Sequence, residues 1–228
     1  MPTITWLGHA CWLIQTGEHS ILLDPFLDSS PTAPCKAKDI RADYVLVSHG
    51  HFDHCAEAAD VANANGATLI ANYEIATWFA SKHGVKNTIG MNLGGSTATK
   101  FGRVKMTIAW HSSMLPDGSY GGNPGGFVLE LHEGSRLYFA CDTALFSDMK
   151  LIGEPKLDLA VLPIGDLFTM GIDDSLAAIK LLNPRIVAPS HYNTWPPIAQ
   201  DAGAWAARVT TETKAQPRVL QPGESFSL

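Results

Sequence analysis

The sequence is poor in charge, and poorer still in positive charge. Charged residues make up 17% of the 228 residues, and 16 Lys and Arg residues stand against 22 Asp and Glu residues, which gives a formal net charge of −6. A negative surface is not drawn to phosphate backbones or anionic lipids, because neither attraction nor counterion release favours binding. We therefore expect no nucleic acid and no membrane among the partners of this chain.

Export and membrane-spanning segments are also missing. No apolar run approaches the roughly 20 residues that a helix needs to cross a bilayer. The first six residues contain no basic stretch followed by an apolar one, which is the pattern of a secretion signal. The sequence thus predicts a cytoplasmic protein.

Cysteine is scarce and scattered, and a common nucleophile motif is absent. The four cysteines form no C-x-x-C pair, so we expect reduced thiols rather than a zinc ribbon or a disulfide scaffold. No G-x-S-x-G motif is present, which argues against a serine nucleophile. The apolar content of 46% excludes a disordered chain, and the length suits one domain spanning residues 1–228.

Apolar runs bounded by turn residues predict the secondary structure. Strands are expected at 3–6, 11–15, 20–23, 44–47, 67–71, 97–110 (as a pair around Gly102), 127–131, 136–140, 157–162 and 185–188. Helices are expected at 55–65, 73–83, 173–182 and 199–211, the third capped by Asp173 or Asp174. Each strand-rich half is followed by helices, which favours an α/β or α+β fold with two sheet layers covered by helices.

The most informative segment is the histidine-rich stretch after the predicted strand at 44–47. It reads Ser48-His49-Gly50-His51-Phe52-Asp53-His54, an H-x-H-x-D-H pattern. Residues two apart in an extended segment point the same way, so His49 and His51 can bind one cation together. Asp53 and His54 then lie at the start of the next helix and can serve a second cation. The alternative is a polar turn with solvated histidines.

Three further candidate ligands follow predicted strands: His111, Asp142 and His191. Placement at strand ends brings side chains to one edge of a sheet, where loops build sites on a rigid scaffold. Seven candidates exceed the three protein ligands that one catalytic zinc needs, which indicates two ions. The predicted division is His49, His51 and His111 on one ion, Asp53, His54 and His191 on the other, and Asp142 between them.

The donor types restrict the metal and suggest the chemistry. Nitrogen and oxygen ligands without thiolate suit zinc, manganese or iron, of which we favour zinc. Two divalent ions that share a water lower its pKa towards ~7, which yields a metal-bridging hydroxide at neutral pH. Asp53 and Asp142 are the predicted catalytic residues, because both would orient this nucleophile.

The H-x-H-x-D-H motif with the later His, Asp and His resembles the hallmark of the metallo-β-lactamase superfamily. The resemblance runs nearly end to end and is closest to uncharacterised metal-dependent hydrolases akin to ascorbate phosphate lactonase. The other matching motifs are Trp6-Leu7-Gly8-His9-Ala10, Leu23-Asp24-Pro25, His111-Ser112-Ser113, Asp142-Thr143, Pro163-Ile164-Gly165-Asp166, Phe168-Thr169-Met170-Gly171 and His191-Tyr192-Asn193-Thr194-Trp195-Pro196. The resemblance implies an αββα four-layer sandwich of two mixed sheets flanked by helices, with the dinuclear site at one edge. It also implies hydrolysis, often of a phosphorylated or cyclic small molecule, and self-association into a homo-oligomer.

Supporting roles remain open at several positions. The resemblance implies that Asp24 fixes the orientation of a ligand histidine, and the alternative is a turn-forming Asp before proline. His9 either lines the pocket or forms a hydrogen bond inside the fold. Asp166, Phe168 and Asn193 either contact the substrate or pack the loops.

Two positions depart from the family pattern. Cys141 stands before Asp142 where Gly is usual, and Trp195 stands where Phe is expected. We interpret Cys141 as a passive small residue, with a further metal ligand or an oxidisable group as the alternative. Neither change removes a predicted ligand.

Together these features predict a metal-dependent hydrolase of a small ester, lactone or phosphodiester. The alternatives are an iron-dependent member of the same fold that handles oxygen, a nuclease or phosphodiesterase, and a non-catalytic binding module. The net charge disfavours the nuclease, and the complete set of ligands disfavours the binding module.

Overall fold

Two β-sheets of seven strands each form the centre of the molecule, and the computed structural model describes residues 1–228. The first sheet contains β1 (Thr3–Trp6), β2 (Trp12–Thr16), β3 (His19–Leu23), β4 (Tyr44–Leu46), β5 (Thr68–Asn72), β6 (Thr88–Met91) and β14 (Ser225–Ser227). The second contains β7 (Ser96–Thr99), β8 (Gly102–Ile108), β9 (Gly125–Leu131), β10 (Arg136–Phe139), β11 (Leu159–Pro163), β12 (Ile186–Ser190) and β13 (Gln216–Pro217). The helices are α1 (Phe52–Cys55), α2 (Ala58–Asn65), α3 (Tyr73–His83), α4 (Met149–Ile152), α5 (Ile172–Leu182) and α6 (Ala202–Glu212).

Both sheets combine an antiparallel part with a parallel part. Their strand orders are β14-β1-β2-β3-β4-β5-β6 and β13-β12-β11-β10-β9-β8-β7. Strands β1 to β3 and β7 to β10 pair antiparallel, whereas β3 to β6 and β10 to β13 pair parallel. Parallel neighbours need a crossover connection, and α2 and α3 supply it in the first sheet as α4, α5 and α6 do in the second.

Alternation along β3 shows how the layers are stacked. Ile21 and Leu23 lie in a cluster of 42 buried residues that includes the second sheet and helices α5 and α6, whereas Leu22 lies in a cluster of 22 that includes α2 and α3. Successive side chains of a strand point to opposite faces, so the first sheet has helices on one side and the second sheet on the other. The predicted αββα sandwich of two mixed sheets is confirmed.

Strand direction brings the candidate residues to one edge. Strands β1, β3 and β4 run the same way in the first sheet, and β8, β10, β11 and β12 run the same way in the second. The two sets of carboxyl ends meet, because the His191 backbone N–H donates to the His9 carbonyl (3.0 Å) and the Gly125 N–H donates to the Ser48 carbonyl (3.1 Å). Loops that follow these strands therefore converge on one region.

The helix predicted at 55–65 is wrong in its bounds. The chain forms two helices, α1 and α2, which are separated at Glu57 (φ −107°, ψ 14°). The buried Glu57 carboxylate accepts hydrogen bonds from the backbone N–H groups of Leu27 (2.7 Å) and Ser29 (3.2 Å). These contacts with a distant loop override the helix propensity of the Ala-rich segment.

The predicted cap of the third long helix is also wrong. Helix α5 begins at Ile172 with Gly171 as its N-cap, and Asp173 and Asp174 lie in its first turn. A carboxylate in the first turn still interacts favourably with the helix dipole. Asp173 Oδ1 accepts a hydrogen bond from the Arg208 guanidinium of α6 (2.6 Å), so this side chain bonds to the neighbouring helix rather than to its own backbone.

Several ends and edge strands differ from the prediction. Strand β12 continues to Ser190 through Pro189, which is possible because β13 pairs only with Ile186 and Val187 and leaves the proline without a partner strand on that side. Helix α6 begins at Ala202 instead of 199, where the Asp201 carboxylate caps it. Strands β6, β13 and β14 were not predicted. No helix combines the length and the apolarity needed to span a bilayer.

Candidate metal centre

The chain enters this region through strained turns. Six non-glycine residues with positive φ lie within three residues after the ends of β1, β3, β10, β11 and β12: His9, Asp24, Cys141, Asp166, His191 and Asn193. The left-handed conformation costs such residues about 1–3 kcal/mol each and persists where surrounding contacts enforce it, often at functional sites. The turns thus identify this sheet edge as the place where conformation is constrained most strongly.

Three histidines form a first group of donors. The ring nitrogens of His49, His51 and His111 lie within 4.8 Å of one another, and His49 Nε2 is 3.0 Å from His51 Nδ1. A Cβ at Gly50 would meet the backbone of Met114 at 3.1 Å, so only glycine lets the loop after His111 pack against this turn without adjustment. The three side chains that the sequence assigned to one ion are therefore neighbours.

A second group contains Asp53, His54 and His191, together with His9. Asp53 Oδ2 is 3.0 Å from His9 Nε2, 3.8 Å from His54 Nε2 and 3.9 Å from His191 Nε2. The other ring nitrogen of His9 is 2.7 Å from Thr194 Oγ1. His9 is fully buried and hydrogen-bonded inside the fold, which is the second of the two alternatives, and it also contacts the candidate ligand Asp53.

Asp142 lies between the two groups. Its Oδ2 atom is 3.0 Å from His191 Nε2 and 3.3 Å from His54 Nε2 in the second group, and 3.6 Å from His111 Nε2 in the first. His49, His54 and Asp142 also form a donor set of their own within 4.8 Å. The carboxylate is within reach of both groups at once.

Asp24 and Ser48 form hydrogen bonds to the Nδ1 atoms of His54 and His49, on the side of each ring that faces away from the cluster. Asp24 Oδ2 accepts from His54 Nδ1 (2.9 Å) and from the Ser48 hydroxyl (2.6 Å), and Oδ1 accepts from the Ser48 backbone N–H (2.8 Å). Since the Ser48 hydroxyl donates to Asp24, it accepts from His49 Nδ1 at 2.9 Å. Both rings therefore keep Nε2 directed into the cluster, which is the orientation that a carboxylate behind a ligand histidine enforces. Ser48 was not singled out from the sequence, although it directly precedes the motif.

Burial controls the protonation of most of these histidines. It lowers the pKa of His49, His51 and His111 below the ordinary value, and burial together with the nearby His191 lowers the pKa of His9 to about 4. A metal ion binds only the neutral imidazole. The first group is thus held in the form that a cation requires.

His54 and Asp142 behave differently because they face each other. Burial disfavours the charged form of His54, but the carboxylates of Asp142 and Asp24 outweigh it and raise the pKa of His54 well above the ordinary value. Burial likewise disfavours ionised Asp142, but His191 and His54 outweigh it and hold the pKa of Asp142 well below the ordinary value. In the protein without cations, a positive charge on His54 compensates the buried carboxylate.

The donors fit divalent cations on two grounds. His54 Nε2 and Asp142 Oδ1 are buried without a hydrogen-bond partner, and such a group costs about 1–3 kcal/mol when nothing satisfies it. The cluster contains imidazole nitrogen and carboxylate oxygen and no thiolate, which suits zinc, manganese or iron. A cation at these atoms would supply the missing partner.

The residues predicted to contact substrate have mixed surroundings. Asn193 Oδ1 accepts from the Gln200 backbone N–H (2.8 Å), so this side chain stabilises its own loop. Asp166 is exposed at a turn whose backbone bonds to Met170 and Thr169. Phe168, at the tip of the same turn, is 58% exposed and makes no aromatic contact.

Cys141 lies beside the centre without joining a donor group. It lines a cavity of about 10 Å³ with Asp142, His191 and the apolar side chains of Trp12 and Phe139. Burial, and then the Asp24 carboxylate, raise the pKa of the Cys141 thiol well above its ordinary value, so the thiol stays protonated. A protonated thiol is a poor nucleophile, and the Cys141 sulfur belongs to none of the three donor groups.

Replacing Cys141 with glycine is expected to preserve catalytic activity within about twofold. Glycine relieves the left-handed φ of +54°, which offsets the loss of a small, partly buried side chain, each effect being roughly 1 kcal/mol. Steady-state kinetics and thermal melts of Cys141→Gly, with Cys141→Ala as the matched variant that keeps the backbone strain, check this. Loss of activity in both variants would show that the thiol takes part in the reaction.

Comparison with known proteins identifies the family. Residues 3–191 match the beta-lactamase superfamily domain. The chain is 48% identical to a UPF0173 metal-dependent hydrolase from Thermus thermophilus over the whole of both chains, and 46% identical to one from Pelotomaculum thermopropionicum over 99% of each. Among solved structures it is similar to Igni18, a metallo hydrolase from Ignicoccus hospitalis, with a TM-score of 0.89 and 33% identity over 100% of this chain and 99% of that one.

The degree of sequence identity determines which properties of these relatives can be assigned to this chain. Identity close to one half over complete chains carries the family and its metal dependence, whereas the finer resemblance to ascorbate phosphate lactonase stays a prediction. The fold, the histidine and aspartate cluster at its edge and these relatives agree. The chain belongs to the metallo-β-lactamase superfamily and is a metal-dependent hydrolase of the UPF0173 group.

Proposed function

We propose that the chain binds two divalent cations, zinc first among the candidates, and hydrolyses a small ester, lactone or phosphodiester. One cation would be held by the first group of donors, His49, His51 and His111. The other would be held by Asp53, His54 and His191.

The observation that carries this proposal is the position of Asp142. Its Oδ2 atom is within 3.6 Å of donors in both groups, and its Oδ1 atom is buried without a partner. A carboxylate that only balanced the charge of His54 would not also contact His111. One that is shared by two cations would need this placement.

Cations at these donors would acidify a water molecule and neutralise the charge that develops on the substrate oxygen. The chain itself contributes the orientation of the donor side chains. Asp24 and Ser48 fix the rings of His54 and His49 from behind, and Asp142 sets the separation of the two groups. Donors held in this way cost no reorganisation when the reaction occurs.

Asp53 is the residue best placed to move a proton. Its side chain is 16% exposed, against 3% or less for His54, His191 and Asp142, so it lies on the solvent side of the cluster. Burial disfavours its charged form, but His54 and the hydrogen bond from His9 outweigh this and lower the pKa of Asp53. The lowered pKa keeps Asp53 ionised and makes it a weak base, so its part would be to orient the attacking water and to relay, without retaining, the proton that passes from that water to the leaving group.

The proposal is tested with protein freed of metal and reloaded separately with zinc, manganese or ferrous iron. Each form is assayed on an aryl ester, a lactone and a phosphodiester, and oxygen consumption is recorded for the iron form. We expect metal-dependent hydrolysis of at least one class, loss of that activity in His49→Ala and no loss in His132→Ala, which removes a histidine outside the cluster. Hydrolysis of none of the three classes with any metal, or oxygen consumption by the iron form alone, would contradict it.

A further inference from the structure

Positive side chains are scarce in the loops that carry the candidate ligands. The candidate residues and the chain next to them lie in the segments 7–11, 24–35, 47–57, 109–124, 140–148, 164–171 and 191–201. None of the 16 Lys and Arg residues lies in these segments, although the loop after β3 continues to residue 43 and contains Lys36, Lys38 and Arg41 there. Lys36 directly follows one of these segments, and its Nζ donates to the Asp28 carbonyl (3.2 Å). Phosphate and carboxylate groups of ligands are commonly bound by Arg and Lys. Within these segments no Lys or Arg is therefore present to bind an anionic substituent.

The same loops expose large apolar side chains. Six of the eleven large apolar side chains that are exposed on the whole chain lie in three of these segments. They are Phe52, Trp110, Met114, Tyr120, Leu167 and Phe168. Exposed apolar groups that gather in one region mark a binding surface more often than scattered ones do.

A row of packed aromatic rings lies on one side of the centre. The ring of Phe52 lies 5.3 Å from that of Phe26, Phe26 lies 5.9 Å from Trp195, and Trp195 lies 5.1 Å from His9. His9 in turn contacts Asp53. The row of rings therefore connects the exposed Phe52 to the second group of donors, but Phe26 and His9 are fully buried, so only Phe52 and the partly exposed Trp195 present surface to a ligand. A Trp at position 195 presents more apolar surface than a Phe would.

The opposite side is joined to the bridging residue. Trp110 directly precedes His111, and its backbone N–H donates to Thr143 Oγ1 (2.9 Å). The loop of Phe168 is attached to the same residue, because the Met170 N–H donates to the Thr143 carbonyl (3.0 Å). Thr143 follows Asp142 in the chain, so both exposed rings belong to loops that are fixed beside the predicted bridge.

We infer that the substrate is uncharged and apolar outside its scissile group, which selects a neutral alkyl or aryl ester or lactone over a phosphorylated or carboxylated one. This inference rests on the proposed hydrolase function and narrows it. It also departs from the phosphorylated small molecule that the family resemblance implies. Binding sites for such ligands are lined mainly by apolar and aromatic side chains with few polar groups.

A matched pair of esters tests the inference with the metal-loaded protein. The terminal methyl group of 4-nitrophenyl butyrate is replaced by a carboxylate in the 4-nitrophenyl monoester of succinate. We expect kcat/KM to be at least about tenfold higher for the butyrate, and to rise about fourfold for each methylene buried between acetate and butyrate. An equal or higher value for the succinate monoester would overturn the inference.

Single substitutions test which side chains cause the preference for the apolar acyl chain. Trp110→Ala and Phe168→Ala should each lower the butyrate-to-acetate ratio of kcat/KM several-fold, because each removes apolar surface beside the centre. Leu151→Ala is the matched control, since Leu151 is 67% exposed on α4 and lies outside the seven segments. The assignment of the Trp110 and Phe168 rings to substrate binding would be contradicted if the butyrate-to-acetate ratio fell equally in Leu151→Ala. It would also be contradicted if the ratio fell in none of the three variants.

A binding measurement separates this inference from the hydrolase proposal. The amides N-(4-nitrophenyl)butyramide and N-(4-nitrophenyl)succinamic acid are titrated into the metal-loaded protein by calorimetry. Tighter binding of the neutral amide, by about tenfold, supports the inference even if no ester is hydrolysed, in which case the hydrolase proposal alone fails. Equal or tighter binding of the acid overturns the inference whether or not any ester is hydrolysed.

Discussion

Asp142→Asn is expected to lower kcat/KM by at least about 10³-fold while the fold is retained. The substitution keeps the shape of the side chain but removes the negative charge that lies within 3.6 Å of His54, His111 and His191. Loss of a carboxylate that merely orients a metal ligand costs about 10–100-fold in affinity or activity, and loss of one shared by two cations should cost more. Steady-state kinetics on the metal-loaded variant measure the effect.

The control for this substitution is Asp60→Asn, which makes the same chemical change at an exposed position of α2. Far-ultraviolet circular dichroism should be unchanged in both variants. Turnover by Asp142→Asn at the wild-type rate would contradict the bridging role, and unfolding of the variant would instead indicate that the carboxylate serves the structure.

Removal of metal is expected to lower the melting temperature by about 8–16 °C. A ligand present at a thousand times its dissociation constant stabilises the native state by about 4.1 kcal/mol, and each kcal/mol shifts Tm by about 2–4 °C in a chain of this size. Chelation followed by zinc addition, monitored by differential scanning fluorimetry, measures this shift. His132→Ala should retain it and a His49→Ala, His191→Ala double variant should lose it. If zinc raised the melting temperature of the double variant as much as that of the wild type, the stabilising metal would have to bind outside this cluster.

The difference in melting temperature between the zinc-loaded and the metal-free protein should grow as the pH rises from about 6 to 8. Because the pKa of His54 is raised in the folded protein, the charged ring stabilises the metal-free protein fully at a pH below 6.5, the ordinary histidine pKa. This stabilisation is lost as the pH rises through the pKa of His54 in the folded protein. Cation binding requires the same ring to be neutral, so it competes with the proton at low pH. Melting curves with and without zinc across this range test the sign, and a shift that shrinks as the pH rises would contradict it.

The candidate ligands could be located from the sequence because their spacing follows directly from strand geometry. The pattern treats His49 and His51 as two residues apart in an extended segment; the chain bends at His49 and Gly50, yet the two rings still meet. His111, Asp142 and His191 each follow a strand that ends at the same edge. Periodicity of two and the rule that strand ends gather at one edge needed no knowledge of the distant contacts. The αββα sandwich followed from the order of strands and helices and from the family resemblance together.

The features that sequence could not decide depend on contacts between distant segments. His9 contacts Asp53, 44 positions away, and Thr194, 185 positions away. The break in the helix after the motif arises because Glu57 binds a loop some 30 residues earlier. Local propensity contains no information on such partners, and the short edge strand β14 likewise forms only because β1 offers it a free edge.

The most direct test of two shared cations is anomalous diffraction at the zinc edge from crystals of the zinc-loaded protein. The account predicts two peaks per chain, one among the ring nitrogens of His49, His51 and His111 and one beside His54 and His191, with Asp142 in contact with both. A single peak, or a pair that Asp142 does not touch, would contradict it.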